Sequence, residues 1–208
     1  IEGVDLPPGW RMLWDTCRPV AMSRFGQAEI AKVMGYEPPM IYHGVDTEVF
    51  YPIAPNRPAA FVSENGSRAS TKAGAKAHFG MNPDRLVILR TDRHMPRKRY
   101  NALLRSLYPV MEKHPDTDLV IHCKLFDQGG YLFDTLTKYP DWFRRRVLFT
   151  LAHDTYTGYS REELNILYNA ADLYCSVSAE GFGLTFAEAV ACGVPAVGID
   201  YSAVPEVI

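Results

Sequence analysis

The sequence predicts an α/β fold built on a doubly wound parallel sheet. Short, continuous apolar runs such as "LVILR" at 86–90 recur as far as residue 199, and such runs are typical of strands that are buried on both faces. Amphipathic segments with helical periodicity separate these runs. Since crossovers between parallel strands are right-handed, the helices are expected to cover both faces of one sheet.

Composition limits the classes of function. The chain has 208 residues, of which 47% are hydrophobic and 22% charged, which suits one good-sized domain or one domain with a piece of another. A net charge of −2 supplies no basic field for nucleic acid, so no nucleic-acid partner is expected. No apolar run approaches the roughly 18 residues of a membrane span, and no signal peptide is visible.

The cysteines and the two ends of the chain lead to two further expectations. The four cysteines are far apart and form no CxxC pair, so reduced thiols in a cytoplasmic protein are expected; they are Cys17, Cys123, Cys175 and Cys192. The chain begins with Ile1 and stops in what reads as the opening of another helix. The sequence therefore suggests a fragment of a longer protein, which in full length could associate peripherally with a membrane.

The elements before residue 86 are short. A strand is predicted at 19–23, followed by a helix that Ser23 caps and that continues to Met34, where Gly35 ends it. A second short strand is predicted at 39–46. Residues 52–69 are rich in Pro, Asn, Gly and Ser and read as a linker, and a short helix at 71–79 follows, stopped by Gly80.

From residue 86 onward strands and helices alternate strictly. The predicted strands are 86–90, 119–123, 147–151, 173–177 and 196–199. The predicted helices are 100–113, 131–139, 162–171 and 184–192. Ligands of such sheets bind beyond the carboxyl ends of the strands, so the informative loops are 91–99, 124–130, 152–161, 178–183 and 200–205.

The loop after the first of these strands is cationic. Arg93 and Lys98 stand five positions apart in "RHMPRK", with Pro96 between them. A cluster of cations beyond a parallel strand suits an anion, most simply a phosphate group. The alternative is a solvated basic loop that precedes a helix.

A second candidate anion site is the stretch "SAEGFGLTFAEA", residues 178–189. Gly181 and Gly183 allow a sharp turn and a close approach to a ligand, and the helix that starts near Leu184 directs its free N–H groups into the same space. Two anion sites at one sheet edge suggest a diphosphate. The dinucleotide fingerprint is not matched, because Phe186 stands where its third glycine belongs.

Two carboxylates interrupt this otherwise apolar stretch. Glu188 lies about one turn into the predicted helix, where a carboxylate can accept hydrogen bonds from two ribose hydroxyls. Glu180 precedes the glycine turn, where a sugar attached to the diphosphate would lie. The alternatives are a surface position for Glu188 and, for Glu180, an acid that complements the helix dipole.

At this point the residues resemble a known family. "EGFGLTFAE" resembles the E-x7-E motif of retaining glycosyltransferases of the GT-B fold, the group 1 type. "RHMPRK" resembles their phosphate-binding segment, and residues 162–200 are similar throughout to their donor-site block. Residues 23–52 resemble the end of their first domain and the crossover into the second.

The resemblance implies the Rossmann-like donor-binding domain of such an enzyme at 86–208, truncated at its C-terminus. Residues 1–50 correspond to the end of the N-terminal acceptor domain and the crossover, and 51–85 to a linker with a short helix. The implied substrate is a nucleoside diphosphate sugar of unknown base, with an unknown acceptor and no other cofactor. Most of the first domain, with its glycine-rich loop, catalytic histidine and acceptor pocket, is missing from the sequence, so this chain alone is expected to be inactive.

The resemblance also implies roles for single residues. Glu180 faces the transferred sugar as the catalytic carboxylate, and Glu188 holds the ribose. The diphosphate is contacted by the side chains of Arg93 and Lys98. The backbone N–H groups offered to phosphate and sugar are those of Gly181, Phe182, Gly183, Leu184 and Thr185. The base is lined by Leu151, Ala152 and His153.

The chain departs from the family pattern at two positions. Asp92 stands where glycine usually precedes the arginine, and Arg99 where glycine often follows the lysine. Both changes affect the shape of the phosphate-binding loop, and they put the placement of Arg93 in doubt more than that of Lys98.

No metal is expected. Asp116-Thr117-Asp118 has the D-x-D pattern of metal-binding transferases, but it precedes a strand and so lies at the wrong end of the sheet, where we read it as a turn. The six histidines have no ligand spacing. The alternatives to a transferase are a non-catalytic nucleotide or nucleotide-sugar binding module and, less favoured, a sugar-nucleotide epimerase on the same fold.

Overall fold

The fold was examined in a computed structural model. It describes residues 16–62, 68–150 and 158–208, together with residues 9, 12 and 66. The following subsections refer to these residues.

Five parallel strands form the main sheet and confirm the doubly wound architecture. They are β1 (Leu86–Thr91), β2 (Thr117–His122), β5 (Val147–Phe149), β6 (Leu173–Cys175) and β7 (Ala196–Val197). Their spatial order is β5-β2-β1-β6-β7, with every neighbouring pair parallel. The chain builds outward from β1 to β5 and then returns to place β6 on the other side of β1. The loops after β1 and β6 therefore border the crevice where the strand order reverses.

Among the described residues, seven α-helices accompany the sheet: α1 (Arg24–Met34), α2 (Lys72–His78), α3 (Tyr100–Lys113), α4 (Leu132–Leu136), α5 (Asp141–Arg144), α6 (Arg161–Asn169) and α7 (Leu184–Ala191). 3-10 turns occupy Pro96–Lys98 and Val204–Glu206. The predicted ends of α1 are confirmed, because the Ser23 hydroxyl accepts a hydrogen bond from the Gly26 N–H and Gly35 adopts a left-handed φ of 76°.

The core lies on both faces of the sheet, as continuous apolar strands predict. On β1, Val87 and Leu89 pack into a cluster with residues of α2, α6 and α7. Ile88 points the other way, into a second cluster with residues of α3, α4 and α5. Fully burying one such side chain stabilises the fold by ~1.5–3 kcal/mol, so two-sided packing fixes the strand positions and with them the loops at their ends.

Several predicted boundaries need correction. The predicted strands at 19–23 and 39–46 are reduced to a single parallel bridge between Ala21 and Met40, because these segments have only each other to pair with among the described residues. The predicted helix at 131–139 is shortened to α4, and α5, which the sequence did not predict, follows it. A two-stranded antiparallel ribbon of β3 (Phe126–Asp127) and β4 (Gly130–Tyr131) precedes α4.

Candidate functional site

The loops after β1 and β6 meet, as predicted, around one cavity. Its volume is about 350 Å³. It is lined by Met22, His43, Lys98, Glu180, Gly181, Phe182, Gly183, Leu184 and Thr185. Seven of these nine residues were singled out from the sequence as candidate site residues. Phe182 and Leu184 are among them, although sequence reasoning assigned them only through their backbone N–H groups.

Lys98 and Glu180 form a buried ion pair in this cavity. Lys98 Nζ lies 2.7 Å from Glu180 Oε1 and 2.8 Å from Oε2, and each residue is only 6% exposed. The 3-10 turn ending at Lys98 is followed by Arg99 in the left-handed region, with φ 53°, before α3 begins. A left-handed residue is thus required where the family often has glycine, and here an arginine adopts that conformation.

Asp92 shares the Lys98 ammonium. Its Oδ2 lies 3.0 Å from Lys98 Nζ and accepts a hydrogen bond of 2.9 Å from Arg90 Nη2. Arg90 is 1% exposed and also donates to the Ser178 hydroxyl at 3.1 Å. Because burying a lone charge is costly, the two cations and two carboxylates compensate one another. Sequence reasoning missed Arg90; a charged residue within an apolar strand was the available signal.

Two serines hold Glu180 in place. The Ser178 hydroxyl donates to Glu180 Oε1 at 2.6 Å, and the Ser202 hydroxyl accepts from the Glu180 backbone N–H at 2.9 Å. Ser202 adopts a φ of 58°, which is rare for a residue with a side chain. Strained backbone of this kind persists where the surrounding structure fixes it, often at functional sites.

Gly183 starts α7 with a φ of 99°, a conformation that favours glycine. A Cβ at this position would lie 3.3 Å from the Phe186 ring and 3.6 Å from Glu180 Cβ. The first N–H groups of any helix have no intrahelical acceptor, and those of α7 start beside the cavity.

Glu188 does not line this cavity and is only partly buried. The Tyr168 hydroxyl donates to its Oε2 at 2.7 Å and lies 2.9 Å from the Thr91 hydroxyl. Burial raises the pKa of the Glu188 carboxyl, and the hydrogen bond from Tyr168 opposes that rise. The acid is thus oriented by α6 and β1, a contact that the sequence did not reveal.

Arg93 is not among the described residues that line the cavity. Its guanidinium makes two contacts of 3.0 Å with the Asp127 carboxylate on β3, and its side chain is 65% exposed. This ion pair lowers the pKa of Asp127. The structure therefore brings Lys98, but not Arg93, against Glu180.

Three further expectations concern the residues that line the base, the D-x-D segment and a metal ion. Leu151, Ala152 and His153 lie outside the described residues. Thr117 and Asp118 belong to β2 rather than to a turn, but they lie at its amino end, where Asp118 accepts a 2.7 Å hydrogen bond from Arg85. In the described ranges, no group of three or more His, Cys, Asp or Glu is arranged to hold a metal ion.

Met22 and His43 line the cavity from outside the α/β domain, and sequence reasoning missed both. His43 lies on the segment after Met40, and its ring centroid is 5.5 Å from that of Phe182. The residues before position 50 therefore contribute one wall of the site.

The cysteines and the hydropathy of the helices complete the description. The four cysteines are unpaired, with Cys17 exposed and the other three buried. Burial raises the pKa of Cys123 and of Cys192 to about 12. None of the helices in the described part of the chain is both long and apolar enough to cross a membrane.

Comparison with known sequences identifies relatives. The sequence profile of the family described as "Glycosyl transferases group 1" matches residues 74–208. A GDP-mannose-dependent alpha-(1-6)-phosphatidylinositol monomannoside mannosyltransferase of Mycolicibacterium smegmatis is 28% identical over 203 residues, which cover 90% of this chain and 45% of that protein. A D-inositol 3-phosphate glycosyltransferase of the same organism is 31% identical over 169 residues, covering 80% and 33%. The chain thus spans less than half the length of these relatives.

Solved structures show the same fold. The C-terminal domain of a glycosyl transferase group 1 family protein from Francisella tularensis has 20% identity and a TM-score of 0.57, covering 79% of this chain and 75% of that one. The catalytic domain of starch synthase IV from Arabidopsis thaliana, bound to ADP and acarbose, has 17% identity and a TM-score of 0.59, covering 87% and 36%. The parallel sheet, the switch-point cavity and the matching profile agree: the chain belongs to the group 1 glycosyltransferases and has the Rossmann-like fold of a GT-B C-terminal domain.

Proposed function

We propose that this chain binds the nucleoside diphosphate sugar donor of a retaining glycosyltransferase. The observation that carries the proposal is the buried pair of Lys98 and Glu180 in a cavity at the switch point of the sheet. One cation and one carboxylate at the same opening provide a partner for a diphosphate and a partner for the hydroxyls of a sugar.

In this proposal the diphosphate binds Lys98 and the start of α7. Lys98 has three N–H donors, and its three contacts are the two oxygens of Glu180 and one of Asp92. A phosphate oxygen on Lys98 therefore competes with Glu180, which lines the cavity, while Asp92 continues to hold the ammonium. The backbone N–H groups of residues 181–185 supply further donors.

The same groups would stabilise the leaving diphosphate as its bond to the sugar breaks. Positive charge preorganised at the oxygen that becomes negative lowers the barrier without reorganisation. We propose that Lys98 and the dipole of α7 supply that charge and that no metal ion or other cofactor is needed. Arg93 contributes only if its side chain leaves Asp127.

Glu180 is proposed to act on the sugar. Positive charge develops on the sugar ring as the diphosphate departs, and a carboxylate beside the ring stabilises it. Two serine contacts fix Glu180 in the cavity wall, which supports a positioned rather than a mobile carboxylate. Retention of configuration follows from the resemblance of 180–188 to the E-x7-E motif and is part of the proposal.

The nucleoside is proposed to extend along α7 toward Glu188, whose carboxylate accepts hydrogen bonds from the ribose. Leu151, Ala152 and His153 are proposed to line the base. The relatives named above are glycosyltransferases, one of them GDP-mannose-dependent, which supports a hexosyl donor without specifying the base.

The acceptor is proposed to bind elsewhere in a longer protein. The chain covers 45% and 33% of the two relatives, so the proposed acceptor pocket belongs to an N-terminal domain, and these residues alone bind the donor without transferring its sugar. Four unpaired cysteines support a reducing, cytoplasmic environment.

Titration calorimetry of the chain with nucleosides, nucleoside diphosphates and their sugars tests the proposal. We expect Lys98→Ala to weaken diphosphate binding by about 10- to 150-fold, since a charge-assisted hydrogen bond contributes ~1.5–3 kcal/mol, and to leave nucleoside binding almost unchanged. Lys113→Ala, an exposed lysine at the far end of α3, is the matched control.

Two results would contradict the proposal. Equal losses for nucleoside and diphosphate in Lys98→Ala would mean that the lysine maintains the fold rather than binding phosphate. A strict requirement for Mg²⁺ or Mn²⁺, revealed by adding a chelator, would show that the charge of the diphosphate is neutralised by a metal.

A further inference from the structure

Residues 21–43, which we name the cover segment, form one wall of the cavity. Met22 and His43, near the two ends of this segment, line the same space as Lys98 and Glu180. The cover segment is joined internally by α1 and by the bridge between Ala21 and Met40. The position of the cover segment at the cavity therefore depends on its contacts with the α/β domain.

Glu206 makes three hydrogen bonds to the cover segment. Its carboxylate accepts from the backbone N–H groups of Arg24 and Phe25, each at 2.8 Å, and from the Tyr42 hydroxyl at 2.9 Å. The first two contacts place a negative charge at the N-terminus of the 11-residue helix α1, where the helix dipole favours it. One side chain thus holds both ends of the segment, across 164 to 182 positions of sequence.

Aromatic contacts also join the cover segment to the site loops. The Phe25 ring lies 5.7 Å from Tyr201, and the Phe182 ring lies 6.1 Å from Tyr42. Phe182 and Tyr201 lie on the two site loops, at 178–183 and 200–205, whereas Phe25 and Tyr42 lie on the cover segment. Cover segment and site loops therefore form a continuous contact.

The loop that precedes Glu206 is also hydrogen-bonded to the backbone of Glu180, the proposed catalytic residue. The Ala203 N–H donates to the Glu180 carbonyl at 3.2 Å, and Ser202 accepts from the Glu180 N–H at 2.9 Å. Glu206 lies at the end of the 3-10 turn that starts at Val204, immediately after these two residues. A displacement of the cover segment thus acts on a turn that is bonded to Glu180.

We propose that Glu206 is a positioning residue, which docks the cover segment so that His43 contacts the diphosphate opposite Lys98. The inference rests on the proposed function for the identity of the ligand, whereas the docking itself is independent of any ligand. An imidazole N–H in the cavity that Lys98 also lines would add a donor to the lysine and the backbone N–H groups of 181–185. Glu206 acts through the segment and does not touch the ligand.

Hydrogen exchange and calorimetry on the chain test the two parts separately. In Glu206→Gln we expect the amides of Arg24 and Phe25 to exchange about tenfold faster, because two charge-assisted hydrogen bonds are weakened. We also expect affinity for a nucleoside diphosphate to fall by about three- to tenfold. Tyr42→Phe, which removes one of the three bonds, should give smaller changes in the same direction and guards against a Glu206 variant that fails to fold.

Glu163→Gln is the matched control. Glu163 also accepts a helix-start N–H, from Ser160 at 2.8 Å, but it belongs to the capping box of α6 rather than to the docking of the cover segment. We expect this variant to leave the exchange of Arg24 and Phe25 unchanged.

A double-mutant cycle decides whether Glu206 acts through His43. The combined loss in His43→Ala/Glu206→Gln should be smaller than the sum of the two single losses, because removing His43 removes what the docking positions. Additive losses, or an unchanged diphosphate affinity in Glu206→Gln, would overturn the inference while leaving the proposed function intact. A wild-type chain that binds no nucleoside diphosphate would instead overturn the proposed function.

Discussion

At the scale of single residues, the single positive charge of Lys98 has two carboxylate partners, Glu180 and Asp92. Glu180 occupies two of its donors and Asp92 the third, and Arg90 compensates Asp92 from within the sheet. The family that the sequence resembles usually has glycine at position 92, so Asp92 adds a carboxylate beside the proposed phosphate-binding lysine. In the proposed binding mode, Asp92 holds the ammonium from the protein side, and Glu180 is the partner that a ligand replaces.

This arrangement predicts an unusual gain of affinity. Glu180→Gln removes the charge that competes for Lys98, so we expect nucleoside diphosphate binding to tighten, by about three- to tenfold, in calorimetry. In a full-length enzyme the same variant should lower kcat by about a hundredfold or more, the scale of one lost electrostatic group. Glu112→Gln, on the exposed face of α3, serves as control. Weaker diphosphate binding in Glu180→Gln would show that the pair supports the site rather than competing with the ligand.

Glu188 should discriminate ribose from 2′,3′-dideoxyribose. Wild type is expected to prefer the hydroxylated nucleotide, and Glu188→Gln to lose most of that preference, because an amide presents one acceptor oxygen and no charge. Burial raises the pKa of this acid, so its carboxylate exists above that raised pKa and is lost as the pH falls through it. The preference should therefore fade at a higher pH than an ordinary glutamate would give. Dissociation constants for both ligands between about pH 8 and about pH 5 measure this; a preference that persists in Glu188→Gln contradicts the role.

At the scale of elements, the site depends on how α7 begins. Gly183→Ala should lower the free energy of unfolding by ~1 kcal/mol, because alanine is strained at φ 99°. It should also weaken diphosphate binding, since the new methyl group would lie only 3.3 Å from the Phe186 ring, beside Glu180. Gly35→Ala is the matched control, with φ 76° and nothing within 4 Å of the added carbon. Thermal unfolding should respond to both variants and calorimetry to Gly183→Ala alone. Equal effects on binding would mean that α7 contributes only stability.

At the scale of the whole molecule, the strand order places the two site loops together. Because β1 and β6 are neighbours, Lys98 and Glu180 form an ion pair although 82 positions of sequence separate them. We expect these 208 residues to bind a nucleoside diphosphate sugar and to transfer none of it. A labelled donor, incubated with a panel of polyol and sugar acceptors, checks this by product formation beside calorimetric binding. Sugar transfer by this chain alone would show that the acceptor site lies within it.

Much of the fold could be predicted from local sequence. The alternation of continuous apolar runs with amphipathic helices requires a two-sided parallel sheet, and Ser23 and Gly35 mark the ends of α1 because capping is a local interaction. The candidate site at 178–189 could likewise be predicted locally, since the glycines, the helix start and the two acids lie within one short segment. These features follow from contacts between residues that are close in sequence.

Only the tertiary structure decided which of the candidate groups meet. It paired Lys98 with Glu180 and Asp92, turned Arg93 toward Asp127, and brought Tyr168 to Glu188. It also brought His43 to the cavity and Glu206 to α1. Each of these contacts joins residues of different elements, or charges with several possible partners. Sequence fixes which charges are available, but burial and the geometry of packed strands determine which of them lie within hydrogen-bonding distance.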